Sequence, residues 1–269
     1  MKNLARALPA IVIALSVAIG SCTPKSTPNP EHVPTATGTG IPAISVATEP
    51  DPTADATQEP SSEGLCDNDY MPSDDGAVWE FAGQNSKLGA YARTDTVTDS
   101  RDDGFTITTE LKDLTYAEEW TCTEAALIDL EPGQQTLAAV FSSPSGAVAV
   151  TREFNSGMTL PRHIDPAMSW QQVFGWRATS ADVSSNGSFT YQFTAMGPEV
   201  VAVPFGSFDA MRINVEVELE MGGPSGMKGT YSQSMWFVQD VGLVKVEGVS
   251  HIKGVEFTDS MELVSYDSP

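Results

Sequence analysis

The side chains of this sequence that could do chemistry are three histidines, three cysteines and two runs of aspartate. The histidines are His32, His163 and His251. Their spacing gives neither a His-Glu-x-x-His helix nor a Cys-His zinc set. Gly223-Pro224-Ser225-Gly226-Met227 falls one glycine short of a nucleophile elbow, because position 227 is Met. A Ser-His-Asp site could arise only if the fold assembled it from distant segments. Calcium prefers several clustered carboxylate oxygens, and two runs offer them: Asp67, Asp69, Asp74 and Asp75, then Asp99, Asp102 and Asp103. Neither has the spacing of a calcium-binding loop, and Asp75-Gly76 and Asp103-Gly104 are turn signals first.

Cys22 has the most definite chemistry. Lys2 and Arg6 precede an apolar run from Ala7 to Ile19, and Gly20-Ser21-Cys22 follows. A charged start, a short apolar core and small residues describe a secretory signal, with a core too short to span a bilayer. The ending Ile19-Gly20-Ser21-Cys22 resembles the bacterial lipobox. That resemblance implies a diacylglyceryl thioether on Cys22, removal of residues 1–21 and acylation of the new amino terminus. Several acyl chains together hold a protein firmly on a membrane. Thr23, rather than Asp, follows the cysteine, so the Gram-negative inner-membrane retention signal is missing. With Cys22 at the end of the signal, Cys66 and Cys122 are left as a pair in an oxidising compartment. Two free buried thiols are the alternative.

Residues 22–64 include eight prolines, eight threonines after Cys22 and no aromatic residue. Such a segment cannot bury enough apolar surface to offset chain entropy, and is expected to be a disordered, partly polyproline-II stalk. The net charge of −22 speaks against nucleic acid and anionic lipid head groups as partners.

From residue 65 to 269 the period changes to two. Ile213, Val215, Val217, Leu219 and Met221 alternate with Asn214, Glu216, Glu218 and Glu220, the pattern of a half-buried antiparallel strand. Phe189, Tyr191 and Phe193 alternate with polar neighbours, as do Phe105, Ile107, Thr109 and Leu111. Further strands are expected over 78–82, 90–97, 116–122, 125–130, 147–152, 171–178, 200–203, 229–238, 243–250 and 256–265. Turns are expected at Asp103-Gly104, Asn186-Gly187, Gly222-Gly223-Pro224 and Asp240-Val241-Gly242. Gln134–Phe141 is the one short helical candidate. The fold class is all-β: one large curved antiparallel sheet, a half-barrel or open barrel meander, with at most one or two short helices.

Two segments carry a further resemblance. Val203-Pro204-Phe205-Gly206-Ser207-Phe208-Asp209-Ala210-Met211-Arg212-Ile213 and Trp236-Phe237-Val238-Gln239-Asp240-Val241-Gly242-Leu243-Val244-Lys245 resemble two segments of bacterial secreted proteins and lipoproteins labelled TapB-like. Tyr70-Met71-Pro72 with Trp79-Glu80-Phe81, and Leu160-Pro161 with Ser169-Trp170, are weaker echoes. The family usually has Gly at 240 and Ala at 205. The resemblance implies the half-barrel of lipoprotein-carrier proteins, a curved sheet around an apolar interior, and implies no reaction.

Together these features describe a membrane-anchored extracytoplasmic protein that is monomeric, non-catalytic and without a cofactor. It is expected to bind or scaffold an envelope protein or a lipid-like ligand, with Phe189, Tyr191 and Phe193 lining the concave face. A secreted hydrolase and a calcium- or carbohydrate-binding surface domain are the alternatives.

Overall fold

The computed structural model describes residues 64–269 except 88, 113, 134–136, 138–148, 180–183, 223–225 and 253–254. Thirteen strands form a single sheet, antiparallel throughout. They are β1 (Val78–Asn85), β2 (Gly89–Arg101), β3 (Gly104–Leu111), β4 (Leu114–Cys122), β5 (Ala126–Asp129), β6 (Ala149–Gly157) and β7 (Leu160–Pro161), followed by β8 (Ser169–Thr179), β9 (Ser184–Val203), β10 (Gly206–Met221), β11 (Met227–Val238), β12 (Gly242–Ile252) and β13 (Val255–Asp267). The spatial order is β6-β8-β9-β10-β11-β12-β13-β1-β2-β3-β4-β5-β7. The sheet is thus a meander in which the last strand pairs with the first. Its two edge strands, β6 and β7, are neighbours in the chain.

That connection brings the two ends of the sheet together. Met158 N donates to Gln171 O of β8 (3.0 Å), and the next residue, Thr159, donates through N to Leu127 O of β5 (3.2 Å). Side chains stitch the same seam. Thr159 Oγ1 donates to Gln172 Oε1 (2.7 Å) and accepts from Asp129 N (2.8 Å). Gln172 Nε2 donates to Asp129 O and to Asn155 Oδ1. Gln172 is fully buried, and a buried amide is tolerable because its hydrogen bonds are made.

The period-two pattern turns one face of each strand inward. Trp79, Phe81, Phe105, Trp120, Trp170, Phe174, Trp176, Ile213 and Leu263 are among the buried residues it delivers. Trp170 stacks on Phe193 and Phe105 on Trp120.

Two sequence expectations change. The Asn186-Gly187 turn is instead strand: Gly187 pairs with Trp176 and Met221 within β9. A Cβ at 187 would meet Glu220 O at 2.2 Å and the Trp176 ring at 2.6 Å, so glycine serves close packing here rather than a turn. The separate strands expected around Phe189–Phe193 and Val200–Val203 are one 20-residue strand. It is interrupted only by a bulge, where pairing jumps from Ala195 to Gly197 opposite Ile213 and Arg212. Gln134–Phe141 lies outside the described residues except for Leu137, whose N–H donates to Gly133 O (3.1 Å).

The segments 203–213 and 236–245 act as scaffold. Pro204 and Phe205 form the β9–β10 turn, and Phe205 stacks on Phe208. Asp240 and Gly242, in the β11–β12 turn, have φ of 60° and 90°. Glycine takes such a conformation freely and aspartate tolerates it, which explains why either can occupy position 240. Around this turn Asp240 N donates to Asp69 O (2.9 Å) and Trp79 Nε1 to Val241 O (2.6 Å). Tyr70–Pro72 and Trp79 therefore meet the second segment in space.

Candidate functional site

Inside the curved sheet lies a cavity of about 360 Å³. Its two ends differ. One is apolar, with Trp79, Trp120, Trp170, Phe193, Phe237 and Met261 among its walls. The other carries Tyr91, Arg93, Asp95, Glu118, Asp129, Tyr191, Tyr231, Gln233 and Asp259. These polar residues stand at inward positions of strands whose other inward residues are core. On β2, Tyr91, Arg93 and Asp95 are in phase with buried Val97; on β4, Glu118 is in phase with Trp120 and Cys122.

Partners are unevenly shared among the carboxylates. Asp95 accepts from Arg93 Nε (2.8 Å) and from Thr109 Oγ1 (2.7 Å). Asp259 accepts from Asn85 Nδ2 (3.1 Å) and Tyr91 Oη (3.0 Å). Asp129 accepts from Glu131 N (3.0 Å). Glu118 accepts no hydrogen bond among the described residues, and neither does the Tyr191 hydroxyl make one. Burial disfavours the charged form of each group. It raises Glu118, with Arg93 opposing, and raises Asp259, with the Asn85 and Tyr91 hydrogen bonds opposing. Asp129 is pushed up to about 8 by burial and then by the neighbouring Glu118 charge. Burial lifts Tyr191 well above its ordinary value, reinforced by Asp129 and Glu118, so these three groups share one neighbourhood.

The interior stays open because two glycines let tyrosines lie against the wall. A Cβ at Gly83 would fall 2.1 Å from the Tyr91 ring, and one at Gly248 would fall 2.3 Å from Tyr231 Oη. We predict that Gly248→Ala forces Tyr231 toward the cavity and destabilises the domain by roughly 1–3 kcal/mol, the usual cost of overpacking. Urea denaturation of Gly248→Ala, Tyr231→Ala and the double variant checks this. Strong non-additivity is expected, and additive losses would mean that the two residues do not compete for space.

The expected site residues are distributed as follows. Tyr191 and Phe193 line the cavity, whereas Phe189 is packed in the core beside it. The aromatic stripe thus contributes two of its three rings. Cys66 and Cys122 are joined, with Cα atoms 5.0 Å apart. Cys22 lies outside the described residues. The aspartate runs do not gather into ligand sets: no three His, Cys, Asp or Glu among the described residues could hold a metal ion. Their work is local. Asp67 accepts from Gly64 N, Asp74 O from Ala77 N, Asp103 O from Cys122 N, and Asp99 pairs with Arg101. Asp69 O takes the Asp240 N–H, while Asp75 and Asp102 are exposed in turns. His163 and His251 are exposed; His251 pairs with Glu256 (3.2 Å), and neither is hydrogen-bonded to a serine among the described residues. The interior residues Arg93, Asp95, Glu118, Asp129 and Asp259 were not anticipated as a group.

No protein-family model matches the chain. No curated protein matches it either. Among solved structures, the fold is similar to that of a Parabacteroides distasonis protein classed as a lipoprotein, at 14% identity and a TM-score of 0.50. The match covers 75% of this chain and 100% of that one. A Bacteroides fragilis protein classed as exported, with a YmcC-like fold, matches at 11% identity and a TM-score of 0.47, over the same shares of the two chains. At such identities the first likeness is one of fold.

Proposed function

We propose that the chain is a lipid-anchored extracytoplasmic protein whose sheet encloses a binding site for a small, largely apolar ligand, without catalysis. The observation that carries this reading is the cavity of about 360 Å³ inside the sheet. Its volume falls in the range of small-molecule sites, and its wall pairs aromatic surface with a few polar groups, as ligand sites do. The lipobox-like ending at Cys22 supports the address, as does a similarly folded protein classed as a lipoprotein. The left-handed conformation of Asp240 supports kinship with TapB-like proteins, which usually have Gly there.

Native mass spectrometry of protein extracted from its own membrane tests both parts. The chain is expected to begin at Cys22 with acyl groups attached, and to carry a non-covalent adduct. Cys22→Ser is expected to leave the membrane fraction or to stay uncleaved. Unchanged partitioning and processing of this variant would refute the anchor. An adduct-free cavity in the native material would count against the ligand.

A further inference from the structure

We propose that the polar end of the cavity receives the ammonium group of an organic amine, held by Glu118, Asp129 and Tyr191, while the amine's apolar body occupies the tryptophan-lined end. This rests on the reading that the cavity binds a ligand, and names the chemical class of that ligand.

The charge balance of the wall motivates it. Asp95, Glu118, Asp129 and Asp259 face the cavity, against Arg93 as the one basic residue among the described residues of its lining. Arg93 is already committed through Nε to Asp95. Asp259 is served by Asn85 and Tyr91. Glu118 and Tyr191 are half-buried, face the cavity, and have no hydrogen-bond partner among the described residues. A carboxylate inside a cavity without a partner is costly, and it is stabilised either by taking a proton or by meeting a cation. An ammonium group supplies several donors at once, and an alkyl chain suits the remaining wall.

The geometry favours an organic cation over a metal ion. Among the described residues, no three acidic groups converge closely enough to ligate a metal. A larger ammonium needs no such convergence, and the aromatic rings of Tyr91 and Tyr231 line the same end of the cavity. Without ligand, burial and Glu118 keep Asp129 largely protonated near neutral pH. An arriving cation favours its ionised form, so binding exchanges a proton for the ammonium. The charged and titratable groups facing this exchange are Tyr91, Arg93 and Asp95 from β2, Tyr116 and Glu118 from β4, Asp129 from β5 with Glu131 just after it, Tyr191 from β9, Tyr231 from β11 and Asp259 from β13.

The test is calorimetric titration of the full chain, carrying Cys22→Ser, with octylamine, octanol and octanoate at neutral pH in two buffers of different ionisation enthalpy. Octylamine is expected to bind at least about tenfold more tightly than octanol, the effect of one charge-assisted hydrogen bond, with octanoate weakest. Proton release is expected with octylamine alone. Glu118→Gln should abolish the preference for octylamine over octanol, and Tyr191→Phe should reduce that preference. Equal affinity for octylamine and octanol, without proton release, would overturn the ammonium site and leave the apolar cavity standing. Failure of all three probes to bind would overturn the cavity reading itself.

Discussion

Asp129→Asn is expected to make the folded domain progressively more stable than the parent as pH rises from about 4 to about 8. Asp129 is buried, and its carboxyl is pushed up to about 8 in the folded chain, by burial first and by Glu118 second. In the unfolded chain it ionises near 3.8. Between these values the folded state binds more protons than the unfolded state, so the parent loses stability as pH rises. Below about pH 4 both states are protonated; above about pH 8 both are ionised and the loss is complete. Asparagine is neutral throughout and keeps an acceptor for the Glu131 N–H, so that site contributes no pH dependence. At 1.36 kcal/mol per pKa unit, the gap between variant and parent is bounded by roughly 6 kcal/mol and should reach a few kcal/mol. Glu118 and Asp259 are shifted in the same direction. Both are present in parent and variant, so the difference between the two isolates Asp129 with its coupling to Glu118. Urea denaturation at a series of pH values gives the measurement. Parallel curves for the two proteins would show that the interior does not hold Asp129 neutral.

The same residue shows how far the sequence could be read. Strand identity was legible wherever alternation was clean: Ile213 to Met221 falls within β10, and Gly229 to Val238 within β11. Alternation reports which residues share a face. Core packing then rewards the apolar ones, which is why Ile213, Val215, Val217 and Leu219 are buried. The curvature that brings Met158 to β8 and Thr159 to β5 was not legible, because it depends on pairing between segments far apart in the chain. Nor was the interior charge. Arg93, Asp95 and Glu118 look like solvated polar residues when weighed singly. The signal was their phase: they alternate with Val97 and with Trp120, on the face that the apolar residues mark as inward. A charged residue in phase with core points to a cavity or a buried pair. Asp129 gave no such sign, since a four-residue strand is too short to establish a phase. The acidic runs attract attention through composition, yet apart from Asp99 in β2 they lie in turns and loops, where aspartate serves the backbone.

Loss of the Cys66–Cys122 bond is expected to cost about 4 kcal/mol and to loosen the amino-terminal segment first. The bond closes a loop across a sequence separation of 56, and the chain-entropy relation for a loop of that length gives the figure. Both sulfurs are buried, Cys122 at the end of β4 and Cys66 in a segment without regular strand pairing. Apart from the bond, packing of Tyr70 and Met71 against the core and a few polar contacts hold that segment. Asn68 Nδ2 donates to Pro161 O (3.0 Å), Asp240 N to Asp69 O (2.9 Å) and Ser73 Oγ to Cys66 O (3.3 Å). Net contributions of about 1 kcal/mol each cannot replace the crosslink, and chain ends are where order fails first. The Cys66→Ser, Cys122→Ser double variant should therefore unfold at lower urea with an m-value close to the parent's. Hydrogen exchange should accelerate over residues 66–73 and at the β11–β12 turn that packs on them, while β8 to β10 keep their protection relative to the global stability. Equal urea midpoints for the oxidised parent and the double variant would show that the native contacts alone fix this segment to the sheet.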